Sequence, residues 1–250
     1  MRPIMRRDLV AAGLLWGALT ALFLLAASRV DMFPFAASRE AVVADDAFRL
    51  LMYMAAPVFS LVLAALVYSL LRFRGRGDPP ADAPHVREHP AVARTWFVLT
   101  AALAAYLMYN PGLVGIAEMR GEHRADLVVR VEAQRWSWKF TYPQHGVVSR
   151  VLVLPVNRRV RFEVSSLDVL HSFWVPAFRT KVDAVPGLQT VLHVTPTVVR
   201  TPADSFNLRV RCAELCGLGH DVMHVSVRIL EQAEFDRWIG AQKPRAQGGR

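Results

Sequence analysis

Apolar residues run almost unbroken through three stretches of the chain, 9–27, 50–71 and 91–109. Each is close to the roughly 20 residues that a helix needs to cross a hydrocarbon core of about 30 Å. Backbone polar groups cannot stay bare in lipid, so these stretches are expected to be helices. Beyond residue 126 the apolar period changes to two: Leu127, Val129, Val131 and Ala133 alternate with Val128, Arg130, Glu132 and Gln134, the pattern of a strand with one buried face. Similar runs recur at "RVLVLPV", "RVRFEV", "TVLHV", "SFNLRVR" and "MHVSVRIL". Six short strands separated by Pro and Gly turns predict an antiparallel sandwich or barrel. The later stretch "EQAEFDRWIGAQK" predicts one short amphipathic helix.

These patterns divide the chain into residues 1–28, a signal peptide or first transmembrane helix; 29–110, a transmembrane helical hairpin; 111–240, an all-β domain; and 241–250, a disordered tail. The first stretch follows Arg2, Arg6 and Arg7 and ends at Ala26-Ala27-Ser28, which suits a cleavable signal as well as a retained helix. The sense of insertion is the same for both. Arg72, Arg74, Arg76 and Arg87 crowd the link "RFRGRGDPPADAPHVREHP" and Arg94 follows just beyond it, so that link is expected in the cytoplasm and everything after Tyr109 on the outer side of a bacterial-type cell membrane. The net charge of +9 raises the question of nucleic acid. A nucleic-acid partner would call for a basic stripe or a binding motif, and the sequence has neither. The basic residues are scattered singly, as on solvated faces, with some set against a partner or anionic headgroups.

The chemistry concentrates in "CAELCGLGHDVMH", residues 212–224, which holds both cysteines, two of the eight histidines and one of the eight methionines. A disulfide is the plain explanation for two cysteines in an exported domain, but it leaves His220 and Met223 unused. The spacing C-x3-C-x3-H-x2-M sets two thiolates, an imidazole and a thioether on one tight turn, and Gly217 and Gly219 let the backbone fold closely around them. That donor set is soft and favours copper over hard ions, whereas zinc sites rely on Cys and His. A single blue-copper centre uses one Cys and two His, so the second Cys is surplus to it. Two thiolates can bridge two coppers, which asks for one more His. His85 and His89 fall in the cytoplasmic link. His171, in the apolar segment "SSLDVLHSFWVP", competes with the reading of a hydrogen-bonded core histidine. His224 follows Met223 on a strand pattern and points to the opposite face.

"DVLHSF", followed about forty positions later by C-A-E-L-C-G-x-x-H-x-x-M, closely resembles the dinuclear copper (Cu-A) site of cytochrome c oxidase subunit 2. "RWSWKFTYP" is similar to that family's aromatic segment, and "KVDAVPG" to the stretch between its His and Cys ligands. The resemblance implies a membrane-anchored α+β chain whose outer domain is a cupredoxin-like Greek-key barrel. It implies that Cys212 and Cys216 bridge two coppers, with His171 and Met223 completing one and His220 and the Glu214 carbonyl the other. The Glu214 side chain would also face a magnesium ion at the contact with the catalytic subunit. Trp136 matches the surface tryptophan through which electrons arrive from a c-type cytochrome, while Trp138 is expected to pack. The partners implied are subunit 1 and the other oxidase subunits, a separate c-type cytochrome and membrane lipid. Electrons would pass on to the haem-copper subunit that reduces oxygen to water, coupled to proton translocation.

Two departures from the family stand out. A Glu that the family often carries three residues before a Trp of the second hairpin helix, associated with proton uptake, is replaced by Ala93 ahead of Trp96; Glu88 lies too early. The acidic residues that often surround the tryptophan are also thin, which favours a neutral or acidic donor. Two rival readings use the same residues: the electron-accepting subunit of a Cu-A-containing nitric oxide reductase, and a membrane-tethered copper-binding or delivery protein.

Overall fold

The computed structural model describes residues 6–74, 89–120, 124–201 and 206–242. Arg2, Arg76, His85, Arg87, Glu88, His123 and residues 243–250 lie outside them. The chain divides into two compact units: Met1–Met32 with Asp46–Ile116, and Phe33–Asp45 with Ala117–Arg250.

The first unit is built on α1 (Arg6–Arg29), α2 (Arg39–Arg72) and α3 (Pro90–Leu107). Among the described residues three helical spans, the last running on to Met119, are long and apolar enough to cross a membrane. α2 has 34 residues, about 50 Å at 1.5 Å per residue, and its polar first turns lie ahead of the apolar run that marked it in the sequence. α3 opens on Pro90, and His89 caps it by accepting the Val92 N–H at 3.4 Å. It gives way at Met108–Leu113, where Pro111 has no N–H to donate and the preceding Asn110 is extended (φ −134°, ψ 116°). A short α4 (Val114–Arg120) follows. α1 and α2 are joined along their length. Asp8 accepts from the Tyr68 hydroxyl at 2.8 Å and from Arg72 Nε at 2.9 Å, Trp16 Nε1 donates to the Pro57 carbonyl at 2.8 Å, and Phe23 meets Phe59 edge to face at 5.3 Å.

Among the described residues the second unit holds ten strands: β1 (Leu127–Gln134), β2 (Ser137–Tyr142), β3 (Val147–Ser149), β4 (Leu152–Pro155), β5 (Val160–Ser166), β6 (His171–Val175), β7 (Thr180–Ala184), β8 (Thr190–Val194), β9 (Arg209–Cys212) and β10 (His224–Leu230). They form two five-stranded sheets, ordered β3-β2-β1-β5-β8 and β4-β10-β9-β6-β7. Two pairings, β1 with β5 and β4 with β10, are parallel, so the sandwich is not purely antiparallel. Parallel neighbours need a crossover, which is why strands distant in sequence end up adjacent. The inward faces bury Val129, Val131, Phe140, Phe162, Val164, Phe173 and Val210, each such side chain contributing about 1.5–3 kcal/mol over an exposed one. Phe162 of one sheet meets Phe173 of the other at 5.1 Å, and Trp138 stands edge-on to Phe173 at 5.8 Å. α5 (Gln232–Gln242) packs Phe235 and Ile239 inward, with Trp238 edge-on to Tyr142 at 5.4 Å.

The segment leading into α2, together with the first turns of that helix, is woven into this unit. Ala37 N–H donates to Ala177 O at 2.8 Å, Thr197 N–H to Ala37 O at 3.0 Å and Arg39 N–H to Thr195 O at 3.0 Å. Arg179 grips both carboxylate oxygens of buried Asp45 at 2.8 and 3.0 Å, the two-pronged geometry that suits a guanidinium.

Tyr142 ties the two sheets together. Its hydroxyl donates to the Val153 carbonyl and accepts the Val153 N–H, both at 2.9 Å, and burial raises its pKa above the ordinary range. Replacing Tyr142 with Phe would leave both Val153 groups buried without a partner, a loss of about 1–3 kcal/mol each at most. Chemical denaturation of the solubilised Tyr142→Phe protein should therefore show an earlier unfolding midpoint.

Candidate metal centre

β9 and β10 are antiparallel neighbours, with His224 opposite Arg211. The ligand-rich residues 213–223 therefore form the loop of a hairpin whose two ends are fixed. Cys212 N–H donates to Met223 O at 3.1 Å and closes the loop at its base. Inside it, His220 N–H reaches Gly217 O at 3.1 Å and Met223 N–H reaches His220 O at 3.3 Å. Gly217 has φ +117°, a backbone state that other residues rarely adopt.

β6 runs alongside β9, with Phe173 opposite Cys212, and Ala213 N–H donates to Ser172 O at 3.0 Å. This register carries His171 to the cysteines across 41 residues of sequence. The sequence pattern put His171 between strands; it is instead the first residue of β6, and it is fully buried.

The six expected site residues fall into two groups. Five come together. Cys212 Sγ lies 3.7 Å from His171 Nδ1, 3.8 Å from Cys216 Sγ and 3.1 Å from the Glu214 carbonyl. Cys216 Sγ lies 3.5 Å from His220 Nδ1 and 3.8 Å from Met223 Sδ. The sixth, the Glu214 side chain, is half-buried. The sulfurs are free thiols, far beyond the ~2.05 Å of a disulfide. The ligand atoms of His171, Cys212 and Cys216 all lie within 4.8 Å of one another, close enough to share a metal ion. Two sulfurs facing each other, each with an imidazole Nδ1 beside it, fit a soft metal pair.

Asp168 is the residue the sequence reading missed. It accepts from His171 Nε2 at 2.9 Å, which leaves Nδ1 facing the Cys212 sulfur at 3.7 Å. Its other oxygen accepts the Arg135 backbone N–H at 2.8 Å and Arg135 Nε at 3.3 Å. Burial alone would raise this carboxyl, but the bonds from Arg135, His171 and Val169 outweigh it and hold it well below the usual carboxylate range. The carboxylate's contribution is therefore present above the ordinary aspartate range and lost only in strong acid. The signal was in the sequence as D-x-x-H, a carboxylate three residues ahead of a candidate ligand histidine.

Arg135 and Trp136 form the two-residue turn between β1 and β2, where Gln134 pairs with Ser137. Trp136 is thus at a hairpin tip and 40% exposed. Trp138 is buried, edge-on to His171 at 6.3 Å, and its indole N–H donates to Met223 O at 3.4 Å. His224 is exposed at the start of β10, and His193 sits on β8 in the other sheet.

A sandwich of this topology, with a Cys/His/Met cluster that could hold a metal at one hairpin loop, on a chain whose helices are long and apolar enough to cross a membrane, has the architecture of a cupredoxin-like domain behind candidate membrane anchors. Residues 144–230 match the family model described as "Cytochrome C oxidase subunit II, periplasmic domain". A cytochrome c oxidase subunit 2 from Thermostichus vulcanus is 33% identical over 88% of this chain and 70% of its own length. One from Synechocystis sp. is 29% identical over 85% and 76%. The crystal structure of the periplasmic domain of subunit II of cytochrome oxidase from Bradyrhizobium japonicum, 28% identical, covers 48% of this chain and 95% of that one with a TM-score of 0.43. The chain belongs to the cytochrome c oxidase subunit 2 family. It is a subunit of a haem-copper oxidoreductase, and the nitric oxide reductase and copper-delivery readings are not favoured.

Two outcomes follow. Asp168→Ala should weaken copper binding by about 10–100-fold in a chelator competition, and should also lower the unfolding midpoint, because the Arg135 and Val169 N–H groups lose their acceptor. Burial and the adjoining Cys212 push the Cys216 thiol up to about 11, so metal uptake must displace protons. Copper affinity of the metal-free protein should then rise with pH across the whole neutral range, measured by competition titration.

Proposed function

We propose that His171, Cys212, Cys216, His220, Met223 and the Glu214 carbonyl hold the dinuclear copper centre of the oxidase, and that Trp136 receives electrons for it from a c-type cytochrome. The observation that carries this reading is the facing pair of sulfurs, 3.8 Å apart, each flanked by an imidazole nitrogen. When bound, the copper pair supplies a one-electron store. The chain's own residues do the rest. Asp168 orients His171, Trp138 and Phe173 exclude water beneath it, and the hairpin base fixes the loop so that little moves when the charge changes. The Glu214 carboxylate is assigned to a magnesium ion at the contact with subunit 1, which receives the electrons and reduces oxygen to water.

The donor is a separate c-type cytochrome. The surface around Trp136 favours docking by apolar contact. Leu215, Leu218, Val222 and Leu167 are all exposed, Leu218 at 98%. Two nearby charge pairs are engaged with each other, Lys139 with Glu132 at 2.6 Å and Arg135 with Asp168 at 3.3 Å, while Asp221 is exposed in the same loop. A rim of this kind gives weak electrostatic steering.

The domain boundaries expected from sequence are retained as proposals, with the copper domain on the outer side of the membrane. The contacts of α1 along α2 support the reading in which residues 6–29 stay as a third span. The intact mass of the purified subunit checks this: a chain lacking the first 28 residues overturns it.

The purified oxidase should carry two coppers in this subunit, sharing one unpaired electron in the resonance spectrum. Cys216→Ser should abolish that shared spectrum; a one-copper centre in the unaltered protein would overturn the assignment. The rate of cytochrome oxidation should stay nearly flat as salt rises. A steep fall with a strongly basic cytochrome c would contradict apolar docking.

A further inference from the structure

The indole of Trp136 rests on the backbone of the loop that carries Cys216 and His220. A Cβ built at Gly219 would fall 2.5 Å from Cδ2 of that ring and 2.8 Å from Cε3 and Cγ, closer than real carbon atoms approach. At Gly217 the same atom would stand 3.5 Å from Cζ2, an ordinary contact. The tight point is therefore Gly219, directly before His220 in the chain.

The atoms in conflict lie at the root of the side chain, not at its far end, so swinging the tip of the ring would not relieve them. Nor is the turn free to retreat. Arg135 is bonded through both its backbone N–H and its Nε to Asp168, and Gln134 pairs with Ser137 on the other side. A methyl group at 219 can be accommodated only by displacing the indole from the ligand loop or the loop from the indole.

We propose that Gly219 is a positioning residue for electron uptake: its missing side chain lets the Trp136 indole lie in contact with the peptide next to His220. The inference rests on Trp136 being the electron-accepting residue. In the step it serves, one electron leaves the reduced haem of the donor and reduces the centre held by Cys212 and Cys216. The haem iron is oxidised by one electron, no bond forms or breaks, and no proton is transferred. Rate then depends on how closely the carrier groups approach, which is what the glycine sets.

The test uses the whole oxidase complex with Gly219→Ala, Trp136→Ala and the two combined. Three quantities are read for each: the oxidation rate of reduced c-type cytochrome, the copper spectrum, and onward transfer to haem after photochemical reduction of the copper. Gly219→Ala should slow cytochrome oxidation several-fold, because electron tunnelling weakens steeply as the carrier groups separate. Its copper spectrum and onward transfer should match the unaltered complex. With the ring removed the methyl group fits, so the double variant should hold copper and be no slower than Trp136→Ala. If Trp136→Ala leaves uptake unchanged, the electron-accepting role of Trp136 falls, and the role of Gly219 with it. If Trp136→Ala slows uptake and Gly219→Ala does not, or if the two losses multiply in the double variant, only the role of Gly219 falls. Loss of copper in both the single and the double Gly219→Ala variants also overturns it, since the glycine would then serve the loop alone.

Discussion

The hydrogen bond from Cys212 N–H to Met223 O is the constraint on which the rest of the site depends. It closes a hairpin loop at its base, so the two sulfurs, the imidazole of His220 and the thioether are held by one short ring of backbone. A strand pair cannot slip by one residue without turning its buried side chains outward, so the β9–β10 register fixes the loop as firmly as the core fixes the strands. The neighbouring strand β6 then delivers His171 to the same point. The ligands come from two elements, but both are rungs of one sheet.

Beneath the ligands the support is aromatic. Trp138 stands edge-on to both His171 and Phe173, and Phe173 meets Phe162 of the opposite sheet. The Trp138 indole N–H also caps the carbonyl that closes the hairpin base. The same ring thus packs against one ligand and satisfies the backbone of another. Above the ligands the support is polar: one carboxylate, Asp168, holds the imidazole of His171 and the turn that carries Trp136. The centre lies between a dry floor and a hydrogen-bonded roof.

The sequence made the apolar spans, the alternation in β1, β5 and β10 and the ligand spacing readable, because each is periodic or chemically unusual. What it hid are features that depend on approach in space. β6 and β7 are five residues each; β6 is buried on nearly every residue and so lacks a clean alternation. The two parallel pairings follow from crossovers that no local pattern announces. Residues 33–45 carry no strand-like period, yet they bond to Ala177, Thr195 and Thr197. Asp168 and Gly219 were visible as letters, and only the distances to His171 and Trp136 give them a role.

The interlacing of residues 33–45 with the β-domain has a consequence for how the protein is made. That segment, which runs into the first turns of α2, is synthesised before the rest of α2, before α3 and well before its partners near residues 177 and 195–197, so its contacts with them form only after they arrive. Arg179 likewise finds Asp45 only after two further spans have been inserted. The outer domain is therefore closed last by its earliest part, and a fragment that begins after α3 lacks the carboxylate that Arg179 grips and leaves the Thr195–Thr197 edge open to another chain.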